Sequence, residues 1–165
     1  MNDPGQPGTK SPARERVVVF VCTGNTCRSP MAEAIARGRL SELRRAGDSG
    51  NDVFRVLSAG VSAGVGQPAN PEAVRAADEL GFDLRGHRSS PLTPAMIESA
   101  EVVWCMTPAH AQAAVALAPD QAGKVALLDP DGSVPDPIGL GPEVYRQTAQ
   151  RLDELIRARL EELLR

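Results

Sequence analysis

The stretch Val17-Val18-Val19-Phe20-Val21 runs directly into Cys22-Thr23-Gly24-Asn25-Thr26-Cys27-Arg28, and Ser29-Pro30 follows. The first five residues form an unbroken β-branched and aromatic run, which suits a strand buried on both faces of a parallel sheet. Pro30 lacks an amide hydrogen and suits the first position of a helix, which puts Ser29 at the predicted N-cap. Between strand and helix lies a tight polar loop in which Gly24 permits a positive φ or the close approach of a ligand. Successive backbone amides from Cys22 to Arg28 then converge on one anion, helped by the positive end of the helix dipole. A phosphate fits such a cradle, and Cys22 sets a sulfur nucleophile beneath the phosphorus. A Cys six residues before an Arg is a weak pattern alone. The strand before it and the proline after it give it weight, and a plain βα turn with a buried cysteine leaves their agreement unexplained.

Outward from that stretch the chain alternates two patterns. Apolar runs at about 53–58, 101–106 and 124–128 join 17–21 as predicted strands. Helical patterns lie between them. One starts at Pro30 with Met31, Ala34, Ile35 and Gly38 on one face, and a second is framed by Asn70-Pro71 and Gly81. A third follows Thr93-Pro94, a fourth runs from about Pro108 to Leu117, and the last begins near Pro142. This order specifies an α/β fold, a three-layer sandwich with a four-stranded parallel sheet flanked by helices. Ligands of such sheets bind beyond the carboxyl ends of the strands, where the Cys22 loop and the loop at about 129–141 both emerge.

At 165 residues the chain suits one domain with a real core. Its net charge of −3 offers no basic footprint for nucleic acid, and no stretch approaches the length of a membrane-spanning helix. Residues 1–16, with Asp3, Pro4, Gly5, Pro7, Gly8 and Pro12, lack the apolar centre of a signal peptide. They read as a disordered tail ahead of a domain at 17–165, and Lys10, Arg14 and Arg16 are assigned no docking role. Three cysteines, an odd number, argue for a reducing, cytoplasmic setting rather than a secreted disulfide framework. A monomer is expected.

Moving a phosphoryl group with a thiol takes four parts. Cys22 is the nucleophile, because loop amides, a helix N-terminus and Arg28 all favour thiolate over thiol. Arg28 presents a planar fork that matches two phosphate oxygens, which lysine does not reproduce. A general acid must protonate the leaving atom and then, as a base, activate water against the phosphocysteine. Asp129, Asp131 and Asp136 all lie in the right loop, with Asp136 favoured by its place nearest the last helix. The fourth part is support: Asn25 stitches the loop with Ser58 or His87 as partners, and the Ser29 hydroxyl is a donor to the sulfur. Thr23, Gly24, Asn25, Thr26 and Cys27 complete the phosphate cradle.

The Cys22–Pro30 loop, Met31-Ala32-Glu33, Ser58-Ala59-Gly60, Gly86-His87-Arg88, Leu92-Thr93 and Asp136-Pro137 together resemble the low-molecular-weight protein tyrosine phosphatase family, from about residue 17 to the C-terminus. The resemblance implies that Cys22 is the nucleophile, Arg28 the phosphate clamp and Asp136, over Asp129, the general acid. It implies that Asn25, Ser29, Ser58 and His87 form the network that shapes the loop. Cys27 matches a second loop cysteine that forms a reversible disulfide with the nucleophile in the family, protecting it from irreversible oxidation. Phosphorylated proteins are the implied substrates, and no metal or other cofactor is implied.

Tyrosine-specific members wall their pocket with aromatic rings, after Ser-Ala-Gly and just after Asp-Pro. Here the corresponding segments 61–69 and 137–141 hold none, and a phenyl ring loses partners worth about 1 kcal/mol each. Thr26 stands where tyrosine-type members usually carry an aliphatic residue, whereas the bacterial protein arginine phosphatases of the family carry threonine. Tyr145-Arg146-Gln147-Thr148 also resembles that subgroup, while Ile138 stands where it usually has phenylalanine. Phosphoarginine is therefore the favoured substrate and phosphotyrosine the alternative. Arsenate reductases sharing the fold need two further cysteines; Cys105 sits like the first, and none follows it. A flavodoxin-like module wants aromatic flanks that the loops lack, and a phosphate sensor has no need of Cys22, Arg28 and Asp136 together.

Overall fold

Strands β1 (Glu15–Cys22), β2 (Val53–Gly60), β3 (Val102–Cys105) and β4 (Val125–Leu127) form one parallel sheet in the order β2-β1-β3-β4. This is a computed structural model, and it describes residues 12–165. Helices α1 (Arg28–Ala46), α2 (Pro71–Glu79), α3 (Pro94–Ser99), α4 (Pro108–Leu117) and α5 (Pro142–Leu163) connect and cover the strands. The three-layer α/β sandwich read from the sequence is the architecture found.

Alternation along β1 assigns the layers. Val18, Phe20 and Cys22 face a core built with Met31, Ile35 and Leu40 of α1, Ala73 and Ala77 of α2, and Leu152 and Ile156 of α5. Val17, Val19 and Val21 face the opposite core, with Ile97 of α3, Val103 and Cys105 of β3, and Ala114 of α4. Both faces being covered explains why the strand is apolar throughout rather than alternating. With β2 on one side of β1 and β3 on the other, the chain leaves the carboxyl end of β1 at the point where the strand order reverses. That crevice is where ligands of open α/β sheets bind.

One capping device recurs. Asn70, Thr93 and Thr107 each accept from an amide of the first helical turn, at 2.9, 3.3 and 3.3 Å, and each is followed by proline at the first helical position. The first helix departs from this plan. It begins at Arg28, with Cys27 in the cap position, and its first backbone bond runs from the Met31 amide to the Cys27 carbonyl at 3.2 Å. Ser29, expected at the N-cap, lies inside the first turn, and its hydroxyl is committed to the loop instead. Pro30 is tolerated there because amides of a first turn have no partner within the helix.

β1 also starts earlier than expected. The Arg14 carbonyl accepts from the Val53 amide at 2.9 Å. Arg16 donates to Glu101 at 2.6 and 2.9 Å, to Asp52 at 3.3 Å and to the Leu163 carbonyl at 2.9 Å. The last residues of the anticipated tail are thus part of the sheet, while residues 1–11 lie outside the described residues. Among the described residues, no helix is long and apolar enough to cross a membrane.

Candidate active site

Cys22 closes β1 with its side chain buried, and its Sγ lies 2.8 Å from Ser29 Oγ. The chain then turns through Asn25, whose φ of 56° lies in the left-handed region. Asparagine enters that region more readily than most residues with a Cβ. Gly24, where the sequence suggested this freedom, does not have a positive φ; a Cβ there would find its nearest neighbour, Thr26 Oγ1, 3.7 Å away. The turn can sit at Asn25 because its side chain is held on every side.

Asn25 is fully buried. Its Nδ2 donates to Ser29 Oγ and to Ser58 Oγ, both at 2.9 Å, and its Oδ1 accepts from the Ser90 amide at 2.9 Å. His87 Nε2 lies 2.7 Å from the Asn25 carbonyl, which only accepts, so that nitrogen carries a hydrogen. Behind His87, Glu33 lies 4.0 Å from Nδ1; burial pushes its carboxyl above the usual range, against the pull of Arg37 and His87. Ser89, which sequence reasoning passed over, is buried and fastens the 61–69 segment. It accepts from the Gln67 amide at 2.9 Å and donates to the Gly64 carbonyl at 2.6 Å.

Arg28 is buried at the mouth of the loop. Its NH1 donates to the Val134 carbonyl at 3.0 Å, and its NH2 reaches Thr23 Oγ1 at 3.5 Å and Asp136 Oδ2 at 3.6 Å. The loop after β4 thus crosses to the β1 edge. Asp136 is oriented by its own turn, with Oδ1 accepting from the Ile138 amide at 3.1 Å, and it remains exposed. Asp129 is buried elsewhere, accepting from the Asp131 amide at 3.0 Å and from Arg151 at 3.1 Å. Thr26 is half-buried, and its carbonyl accepts from the Asn70 amide at 2.8 Å; Ile138 is exposed beside Asp136.

The three free cysteines differ in surroundings. Burial pushes the Cys105 thiol up to about 12, and Cys105 packs in the core on the other face of the sheet from Cys22. A thiol relay between those two would have to cross the sheet. Burial also raises Cys27, which contacts Tyr145 Oη at 3.4 Å and Thr26 Oγ1 at 3.9 Å. In the sequence Tyr145 stands out only within the stretch that resembles the arginine phosphatases, and nothing local shows that its hydroxyl reaches the loop. His110 was also missed. Its Nε2 lies 2.8 Å from Thr23 Oγ1, and its helix leaves the carboxyl end of β3, beside the end of β1. A histidine three residues after a Thr-Pro start at that edge was the available signal. A thiol, a guanidinium and a carboxylate around a tight loop at a helix start form a site able to hold a tetrahedral oxyanion and exchange it with sulfur.

Known proteins are similar to this chain in sequence and in fold. The family described as low molecular weight phosphotyrosine protein phosphatase matches residues 17–165. A protein-arginine-phosphatase of Bacillus subtilis is 42% identical over 145 residues, 85% of this chain and 91% of that protein. The low molecular weight protein-tyrosine-phosphatase Etp of Escherichia coli is 30% identical over 139 residues, 82% of this chain and 86% of that protein. Among solved structures, the YwlE arginine phosphatase bearing a phosphorylated serine in place of the active-site cysteine superposes with a TM-score of 0.79 at 39% identity, covering 89% of this chain and 95% of the other. The chain belongs to the low molecular weight phosphotyrosine protein phosphatase family, hydrolases that act on phosphorylated proteins.

Proposed function

We propose that this protein hydrolyses phosphoarginine in proteins through a phosphocysteine intermediate. The observation that carries the reading is the meeting of Asp136 and Arg28 at 3.6 Å over the loop that presents Cys22. Loop amides from Thr23 to Arg28 and the Arg28 guanidinium hold the three non-bridging oxygens. Gly24 leaves its side of the loop open to the oxyanion. Cys22 Sγ attacks phosphorus in line, the P–N bond breaks, and Asp136 delivers a proton to the departing guanidine nitrogen. Asp136, now ionised, takes a proton from water as that water attacks phosphorus. Orthophosphate leaves, and the thiolate is restored with the Ser29 hydroxyl 2.8 Å away to receive it.

Arginine as the phosphorylated residue is supported by the pocket wall and by the named relative. Thr26 offers a hydroxyl, and the aromatic rings are occupied elsewhere. Phe20 and Trp104 pack together with centroids 5.5 Å apart, Phe54 lies beneath Arg16, Phe82 beneath Arg39, and Tyr145 is buried against Cys27. The phosphotyrosine reading is favoured by one observation: Ile138 and Leu140, 59% and 61% exposed, give the segment after Asp136 an apolar surface. Free thiols in all three cysteines agree with a reducing cytoplasm, and the site is complete within one chain. Cys27, five residues from Cys22, is the thiol that would trap the oxidised nucleophile as a disulfide.

Turnover of matched phosphoarginine and phosphotyrosine peptides tests the reading. The arginine peptide is expected to be the better substrate, and Cys22→Ser to abolish both activities. Asp136→Asn is expected to lower kcat on phosphoarginine by about 10²-fold or more, and on para-nitrophenyl phosphate far less, because nitrophenolate leaves without a proton. Preference for the tyrosine peptide overturns the choice of arginine. Equal losses on the two leaving groups overturn Asp136 as the acid.

A further inference from the structure

The chain has two histidines, and both reach the phosphate loop: His87 at the Asn25 carbonyl and His110 at the Thr23 hydroxyl. The second has no part in the chemistry described so far. His110 sits in the first turn of α4 and is 4% exposed. Its Nε2 lies 2.8 Å from Thr23 Oγ1, while its Nδ1 is buried and, among the described residues, has no hydrogen-bond partner.

That asymmetry selects the tautomer. A buried N–H without an acceptor is a rarer and costlier orphan than a bare ring lone pair. Nδ1 therefore holds the lone pair, and Nε2 carries the hydrogen and donates it to Thr23. A cationic ring would strand a donor at Nδ1. Burial and the Arg28 charge push His110 down to about 4, against the opposing pull of Asp136. His110 thus supplies a donor without setting a second positive charge beside Arg28.

Thr23 Oγ1 then accepts twice, from His110 at 2.8 Å and from Arg28 NH2 at the longer 3.5 Å. With both lone pairs engaged, the hydroxyl hydrogen is left for the open side of the loop, where Thr23 is exposed. We propose that His110 is a positioning residue: its Nε2–H orients the Thr23 hydroxyl so that the hydroxyl donates to the bound oxyanion and its oxygen seats Arg28. The proposal rests on the reading of this loop as a phosphoryl site.

The test is a double-mutant cycle read by kinetics and by phosphate binding. His110→Leu is expected to lower kcat/KM on para-nitrophenyl phosphate about tenfold, the worth of one good hydrogen bond. His110→Gln, whose amide nitrogen reaches the place of Nε2, recovers most of that activity. Thr23→Val loses a similar factor, and the double variant loses no more than the larger single loss. In the Cys22→Ser background, affinity for inorganic phosphate falls by a comparable factor with either substitution. Nitrogen spectra of the wild-type ring are expected to place the hydrogen on Nε2. Additive losses, an unimpaired His110→Leu, or a hydrogen on Nδ1 overturns the proposal. Should His110→Leu fail to fold, Thr23→Val and the ring spectrum decide. A wild-type protein that hydrolyses no phosphorylated substrate defeats the phosphatase reading, and the spectrum and phosphate affinity still judge His110.

Discussion

Asn25 donates from one amide nitrogen to two serine hydroxyls and accepts on its oxygen from the Ser90 amide. Polar groups from α1, from the end of β2 and from the segment before α3 thus converge on one buried side chain. They hold a backbone with φ of 56° in place. Removing the amide strands several buried groups at once, and each orphan costs about 1–3 kcal/mol. Asn25→Ala is expected to lose about 3 kcal/mol in urea unfolding and to bind phosphate poorly even where it remains folded. Unchanged stability would mean the network is decoration. Asp136 is held differently, by one backbone amide of its own turn and by a guanidinium, and it stays open to water. That suits the role proposed for it, an acid that exchanges protons twice in each cycle.

At the scale of the element, the end of β2 matters as much as the loop it supports. A Cβ on Gly60 would stand 2.8 Å from Ala63 Cβ and 2.9 Å from the Asn25 amide nitrogen, and would collide with the Thr23 carbonyl. Two of those neighbours are backbone of the loop between β1 and α1, so the loop itself must move. A misplacement of about 1 Å at reacting groups costs on the order of 10²-fold. Gly60→Ala is therefore expected to reduce kcat/KM about 100-fold, while Gly132→Ala, with nothing within 4 Å of the added carbon, leaves it unchanged. Equal activity of the two variants would refute the argument. The start of α1 teaches a related lesson. Ser29-Pro30 reads locally as cap and first residue, yet the helix begins earlier because the Ser29 hydroxyl meets Asn25 at 2.9 Å and Cys22 at 2.8 Å. Those partners arrive only once the loop has closed.

For the molecule as a whole, titration ties stability to acid. His110 is held neutral, down to about 4 against an ordinary value of 6.5, so the unfolded chain binds a proton that the native state refuses. Stability is then complete above pH 6.5 and falls as pH drops from 6.5 towards 4, by about 3 kcal/mol from this residue. Below that window further losses come from carboxyls held low. Glu101 is held by its bonds from Arg16, and Asp129 by the Asp131 amide and Arg151; Asp153, although burial opposes it, is held by Arg39. Urea unfolding of wild type and His110→Leu from pH 7 to pH 4 is expected to show a shallower acid slope in the variant; parallel curves would show that His110 titrates normally. By itself the sequence determined the α/β class, the strand that ends at Cys22, the capped helices, and the short spacing that sets Cys22 and Arg28 on one loop. All of these are written in local periodicity, turn chemistry and short spacing. The family resemblance already favoured Asp136 over Asp129, and the structure sets Asp136 3.6 Å from Arg28. Only the tertiary structure decided that Asn25 rather than Gly24 takes the left-handed turn, and that His110 and Tyr145 touch the loop. Those choices depend on contacts between residues as many as 118 positions apart, set by the parallel sheet that brings the carboxyl ends of its strands to one edge.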